Sequence, residues 1–296
     1  MKYVLLGAAG HITRQLAVQL LSANHEVKIV GRSTESLKEL AAQGASIAVG
    51  SVEDVAFLAE TFAGADAVYT MVPPKWDAAN WQAWIAQTGA GYADAIQQAG
   101  VKKVVNLSSV GAHLPQGCGP VSGLYFVEKA LNEKSGADVL NLRPSYFYYN
   151  LFANIGLIKH MGIMGSNFGG AGIVLPIVDT ADIAASAFDA LHSLNFSGTT
   201  IQYIASDEVT TDQIAEAVGQ AIGQPELKWV VFSNEQALGG MLQNGLSQEV
   251  ANNYTELGGA IQNGLMMEDY LKNKPALSKV KLADFAKAFA AAYKAS

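Results

Sequence analysis

Two hydrophobic rhythms alternate along the first half of this chain. Short continuous apolar runs read as buried strands, and apolar residues three or four apart read as helix faces. Tyr3-Val4-Leu5-Leu6 forms a first strand, and Ile12, Leu16, Ala17, Leu20 and Leu21 mark the helix that follows. Glu26 to Val30 and Ala45 to Val49 read as second and third strands. Asp54 to Phe62 reads as a helix, Asp66 to Val72 as a fourth strand, and Ala78 to Ala99 as a long helix. Lys103 to Leu107 and Asp138 to Leu142 complete six strands. Strands separated by helices predict an α/β fold, a doubly wound parallel sheet with right-handed crossovers. Ligands in such sheets sit beyond the carboxyl ends of the strands.

The rhythm loosens after Pro144, and the stretch to Pro176 reads as loop-rich, with many Gly, Asn, Met and aromatic residues. Ala181 to Leu191 predicts a helix and Thr200 to Ile204 a strand, both returning to the sheet. Thr210-Thr211-Asp212 supplies good helix caps, Lys228 to Phe232 a short strand, and Leu282 to Tyr293 a last helix. The expected organisation is a sheet-containing core over residues 1–150, rejoined by 180–204. A smaller, discontinuous α/β substrate lobe takes 151–179 and 205–296.

The turn between the first strand and its helix is Gly7-Ala8-Ala9-Gly10-His11-Ile12-Thr13. Strand, glycine turn and helix form the context in which backbone amides and a helix dipole receive a dinucleotide's pyrophosphate. Thr13 stands where the usual pattern has a third glycine. Arg32 and Ser33 close the second strand, where an acidic residue would favour a free ribose hydroxyl. A guanidinium there suits a 2′-phosphate, so NADP(H) is expected over NAD(H).

Composition narrows the field. Half of the 296 residues are apolar and 15% are charged, as in a compact globular protein. The net charge of −7 and the absence of a basic run argue against direct nucleic-acid binding. No apolar stretch is long enough for a membrane span. The N-terminal run is interrupted at His11, Thr13, Arg14 and Gln15, too early for a secretory signal. A single cysteine, Cys118, fits a reducing compartment, so a cytoplasmic location is expected. The histidines lack ligand spacing, so no metal is expected. No G-x-S-x-G elbow suggests a hydrolase.

Several segments together resemble the NmrA-like branch of the atypical short-chain dehydrogenase/reductases. They are the glycine turn, Gly31-Arg32, Gly64-Ala65-Asp66-Ala67-Val68, Val104-Val105-Asn106-Leu107-Ser108-Ser109, Leu142-Arg143-Pro144 and Thr210-Thr211-Asp212-Gln213-Ile214-Ala215. That branch includes quinone and triphenylmethane-dye reductases and non-catalytic redox-sensing regulators. The resemblance implies a Rossmann-type fold and NADP(H) binding, but no single activity.

On this reading Gly7, Ala9, Gly10, His11 and Ile12 face the pyrophosphate, and Arg32 with Ser33 the 2′-phosphate. Gly50 and Ser51 lie near adenine. Thr70, Met71, Val72 and Pro73 with Leu107, Ser108 and Ser109 flank the ribose and nicotinamide. Tyr146, Phe147, Tyr149 and Phe152 are the candidate walls for a small-molecule acceptor, with Met161, Met164 and Phe168 adding to them. Trp76, Trp81 and Trp84 offer a lip over the site or, for the last two, helix packing.

Tyr125 and Lys129 have the Tyr-x-x-x-Lys spacing of short-chain reductases, with Ser108 or Ser109 to orient a substrate oxygen. The same spacing recurs at Tyr270 and Lys274. An alternative register, set by Val127-Glu128-Lys129-Ala130-Leu131, puts Leu124 at the lysine position and Pro120 at the tyrosine position. His113 is the other candidate proton donor. The expected function is hydride transfer to a quinone-like or carbonyl acceptor. A cofactor sensor acting on a regulatory protein partner and a sugar-nucleotide epimerase are the alternatives.

Overall fold

The protein is described by a computed structural model over residues 1–170 and 172–296. Strand and helix alternate from the start: β1 (Lys2–Leu5), α1 (His11–Ser22), β2 (Glu26–Gly31), α2 (Thr34–Ala42), β3 (Ser46–Val49), α3 (Val55–Phe62) and β4 (Ala67–Thr70). Next come α4 (Trp81–Ala99), β5 (Lys103–Leu107), α5 (Val121–Lys134) and β6 (Asp138–Pro144). Polar caps start the helices where the sequence suggests they should. Ser33, Asp54 and Asn80 accept bonds from the amides of Ser36, Phe57 and Ala83, opening α2, α3 and α4.

The stretch after β6 is more ordered than its composition suggests. It holds β7 (Tyr146–Phe147), a 3₁₀ turn (Tyr148–Asn154), α6 (Ile155–Met161), β8 (Ile163–Ser166) and β9 (Val174–Val178). The two- and four-residue strands β7 and β8 find their partners far along the chain. Then come α7 (Thr180–Ser193), β10 (Thr199–Ile204), β11 (Asp207–Thr210), α8 (Thr211–Ile222), β12 (Lys228–Val231) and α9 (Asn234–Gln243). The chain ends with α10 (Gln248–Gln262), a 3₁₀ turn (Leu265–Met267), α11 (Glu268–Lys272) and α12 (Leu282–Ala295).

Seven strands form one parallel sheet in the order β10-β6-β5-β4-β1-β2-β3. This is the expected doubly wound, Rossmann-type arrangement. Because helices cover both faces, β4 is buried along its whole length. One face packs Leu5, Ile29 and Tyr69 against α1 and α7; the other packs Val4, Val68 and Val104 against α3, α4 and α5. A third apolar cluster joins β9, α8 and α12 through Leu175, Ile214 and Phe289. Two smaller sheets, β11-β9-β7 and β12-β8, border it. Among the described residues no helix is long and apolar enough to cross a membrane.

The strand order reverses between β4 and β1, so their outgoing connections diverge and leave a crevice above their carboxyl ends. Buried polar contacts tie the neighbouring strands together. Thr70 donates to Asn106 at 3.0 Å, Asn106 to Asn141 at 2.9 Å, and Asn141 to Asn132 on α5 at 3.2 Å. Each amide satisfies its neighbour, avoiding the cost of an unpaired buried dipole.

Close packing of α4 on α5 depends on missing side chains. A Cβ at Gly89 would lie 2.6 Å from Val127 Cγ2 and 2.7 Å from its Cα, and one at Gly123 would lie 2.9 Å from the Gln82 carbonyl. Gly89→Ala is expected to push the helices apart and cost about 1–3 kcal/mol, read from the shift of the urea midpoint.

Candidate functional site

The glycine turn sits at the strand-order reversal. Gly7 has φ +73°, and a Cβ there would lie 2.3 Å from Met71 Sδ, so both backbone and neighbour demand glycine. The Gly10 amide donates to the Gly7 carbonyl at 2.9 Å and closes the turn. Gly10 is the N-cap of α1; it supplies no side-chain cap, and the first turn holds no acidic residue. Ala9, Gly10 and His11 are exposed, whereas Ile12 and Thr13 are buried beneath them. The turn therefore offers open amides and the positive end of a twelve-residue helix, a fit for a diphosphate. Thr13 explains the missing third glycine: its hydroxyl donates to the Leu6 carbonyl at 3.2 Å, stitching α1 to β1.

The chain's three arginines have separate surroundings. Arg14 pairs with Glu39 on α2, and Arg143 is buried. Arg32 is exposed at the end of β2 and makes no ion pair among the described residues. Ser33 beside it also caps α2. Gly50 follows β3 and donates to the Gly31 carbonyl at 3.0 Å, while Ser51 is exposed next to it. Met71, Val72 and Pro73 are half-buried after β4, with the Met71 carbonyl held by the Tyr92 hydroxyl at 2.9 Å. The Thr70 side chain is buried and committed to Asn106, leaving only its backbone for the crevice.

Beyond β5, Leu107 is half-buried, but both serine protons are used internally. Ser108 donates to Glu128 at 2.5 Å, and Ser109 donates to the Val110 carbonyl at 2.9 Å. Behind Ser108 lies a buried ionic group absent from the sequence expectation. Arg143 forks onto Glu128 at 2.9 and 2.7 Å and also donates to Tyr203 and to Asp269 on α11. Burial opposes the guanidinium charge, but the bonds and charge of Glu128 outweigh it and raise its pKa. Burial and Asp269 push the Tyr203 phenol up to about 12.

The proposed acid–base residues are not assembled around this point. Glu128 and Leu124 take the inward positions of α5, Leu124 packing on two apolar clusters. Tyr125 is half-buried against Phe126, and Lys129 is exposed. Neither bonds to Ser108, Ser109 or His113 among the described residues. The second Tyr-x-x-x-Lys is a clamp: Tyr270 and Lys274 both donate to Glu208 at 2.9 Å.

His113 has two buried ring nitrogens without partners. Desolvation lowers its pKa despite nearby Asp269, so its imidazole is neutral at pH 7. As a proton donor it lacks both the charge and an open path. Burial likewise raises the Cys118 thiol to about 12, making it inert.

The aromatic run after β6 faces two ways, as strand alternation requires. Tyr146 packs against Phe168 with ring centroids 5.5 Å apart, and burial raises its pKa. Phe147 turns to the apolar cluster under α1 and α7. Phe152 stacks on Phe289 of α12 at 5.5 Å and 7°. Phe147 and Phe152, expected as acceptor walls, are half-buried, as is Tyr146. Tyr149 stays half exposed, its ring 4.5 Å from that of His11 on the glycine turn. A second aromatic group was not anticipated as a unit: Trp76, Trp81 and Tyr254 of α10 meet at 5.3 to 6.2 Å. Trp84 turns away, under Lys75.

Two substitutions test these assignments. Glu128→Ala strands a buried guanidinium and is expected to cost about 3–5 kcal/mol in denaturant unfolding. His113 favours its neutral form in the fold, so its contribution is complete above the ordinary histidine value of 6.5 and falls as pH drops toward its lowered folded value. His113→Leu should flatten the loss of stability between about pH 7 and pH 5, measured by urea unfolding across that range.

Residues 7–160, just over half of the chain, match a family model described as NAD(P)H-binding. No curated protein sequence gives a significant match. Among solved structures, the Escherichia coli NADPH-dependent quinone oxidoreductase QOR2, complexed with NADPH, superposes with TM-score 0.82 at 18% identity, covering 97% of this chain and 99% of that one. The Citrobacter sp. triphenylmethane reductase complexed with NADP(H) gives TM-score 0.80 at 20% identity over 97% and 99%. NmrA, a negative transcriptional regulator in complex with NADP, gives 0.73 at 13% over 97% and 90%. At these identities the structures establish the shared fold, and the matched sequence model establishes membership. The chain belongs to the NAD(P)H-binding family whose model it matches, and it shares its fold with these two reductases and with NmrA.

Proposed function

We propose that this protein binds NADP(H) along the crevice between β1 and β4 and reduces a small planar, quinone-like or carbonyl acceptor. The observation that carries this reading is the pairing of an uncapped helix terminus at Gly10 with an unpaired cation, Arg32, closing the adjacent strand. Amides of the turn would hold the pyrophosphate, and Arg32 with Ser33 the 2′-phosphate. Gly50 and Ser51 would border adenine. Met71, Val72 and Pro73, with the Thr70 backbone and Leu107, would position the nicotinamide end. Bound NADPH would supply hydride; the protein's part is to hold the acceptor at contact distance. Tyr149, half exposed, is the open aromatic wall suited to this task, with Tyr146 half-buried beside it.

One observation favours a second reading, a sensor that binds the cofactor and controls a partner protein. The Ser108 and Ser109 protons are committed inside the protein, Lys129 is in solvent, and His113 is shut in. That arrangement also removes support for an epimerase, which needs a working Tyr/Lys pair. A quinone tolerates it because its reduced anion is charge-delocalised and takes protons from water.

Thermal-shift titration with NADPH and NADH, followed by NADPH oxidation with a quinone panel, separates these readings. NADPH at about a hundred times its Kd should add roughly 2.7 kcal/mol of stability. Tight binding without turnover would favour the sensor. Arg32→Ala should weaken NADPH on the order of tenfold or more and leave NADH nearly unchanged, since only the phosphate loses its charge-assisted bonds. Equal loss for both cofactors would remove Arg32 from this role.

A further inference from the structure

In the aromatic group formed by Trp76, Trp81 and Tyr254, Trp81 and Tyr254 pack on the interior and carry Trp76 at the surface. Trp81 is buried, but Trp76 keeps 53% of its surface exposed while stacked at 30° and 6.2 Å on Tyr254. A large apolar ring left half open on a fixed support is a place for another ring to land.

The supports are fixed on both sides. Pro73 and Pro74 stiffen the approach from β4. Lys75 is held by Glu53 at 3.0 Å and lies over the Trp84 ring at 5.4 Å. Five residues past Trp76, the Trp81 amide donates to Glu249 of α10 at 2.8 Å. On α10, Asn253 accepts from Gln82 at 3.1 Å, and Glu256 accepts from the Gly119 amide at 2.9 Å, so Tyr254 stands between two anchored residues. Val72, in the segment that leaves β4, packs against the same apolar cluster as Trp81 and Tyr254. Burial raises the Tyr254 phenol to about 12. Phenols of this kind stay neutral and leave an apolar, uncharged face.

We infer that Trp76, backed by Tyr254, is the stacking platform that selects the acceptor, and that it favours fused bicyclic aromatic rings over single rings. The indole is itself a fused bicycle, wider than one six-membered ring, and the phenol stacked on it holds it in place. A fused bicycle covers the whole indole, whereas a single ring leaves half of it wet. This inference deepens the reductase reading and rests on it for the nature of the ligand, but ring binding can be measured without turnover.

The test is calorimetric titration of the protein, saturated with NADP⁺, with 2-methyl-1,4-naphthoquinone and with 2,6-dimethyl-1,4-benzoquinone. The wild type should bind the bicycle about tenfold more tightly than the single ring. Trp76→Ala should erase that preference, Trp76→Phe should restore part of it, and Tyr254→Leu should weaken it, all with unchanged NADP⁺ affinity. Trp76 is half buried on Trp81 and Tyr254, so unchanged NADP⁺ affinity serves to show that each variant is folded. Equal affinity of wild type and Trp76→Ala for the bicycle, or no ring binding to the wild type, overturns the platform. Bicycle binding that depends on Trp76, without NADPH oxidation, upholds the platform and overturns the reductase reading alone.

Discussion

An α-helix must leave its first amide protons without intrahelical partners, and the crevice of this protein is organised around one such terminus. Most of the longer helices here close theirs with a serine, threonine, aspartate or asparagine side chain. Helix α1 does not, because its N-cap is glycine and its preceding turn is folded too tightly for a side chain. The parallel sheet then sets where this open terminus lies. Connections leaving β1 and β4 go to opposite faces, so the amides look into a gap that no other element fills. Arg32 arrives at the same edge because β2 pairs with β1 in register, Leu5 opposite Ile29.

The polar interior supports this edge rather than competing with it. The Thr70, Asn106, Asn141 and Asn132 contacts hold neighbouring strand ends level. The Glu128–Arg143–Asp269 group links α5 and β6 to α11, so the elements beside the crevice are joined by buried charge. Such a group is costly to break whether or not it adds net stability. It also takes up the Ser108 hydroxyl proton, so the serine at the expected position is committed inside the protein. On the proposed reading, shape and ring stacking would hold an acceptor, with Tyr149 and Trp76 offering the exposed faces.

Local patterns were legible where one segment fixes its own conformation. The Gly7–Gly10 turn, the Thr210 capping box and the run of six parallel strands follow from spacing, caps and hydrophobic period. Patterns that need a helix's rotation were ambiguous. Tyr125/Lys129 and Tyr270/Lys274 share one spacing; one lies on an outward face and the other grips Glu208. The i,i+4 rule says that two side chains share a face but not which way that face points. The aromatic run after β6 divides likewise, because alternate strand residues face opposite sides and the pairing of β7 with β9 sets the direction.

By itself the sequence determined the α/β order, the glycine turn and the cation at the end of β2, since each depends on residues within about one helical turn or strand. The tertiary structure decided the rest: the inward Glu128, the closed-in His113, and the meeting of Trp76 with Tyr254 from segments 178 residues apart. The physical reason is that these contacts arise from docking of whole helices and strands. Their partners are chosen by summed packing over many residues, which no short motif encodes.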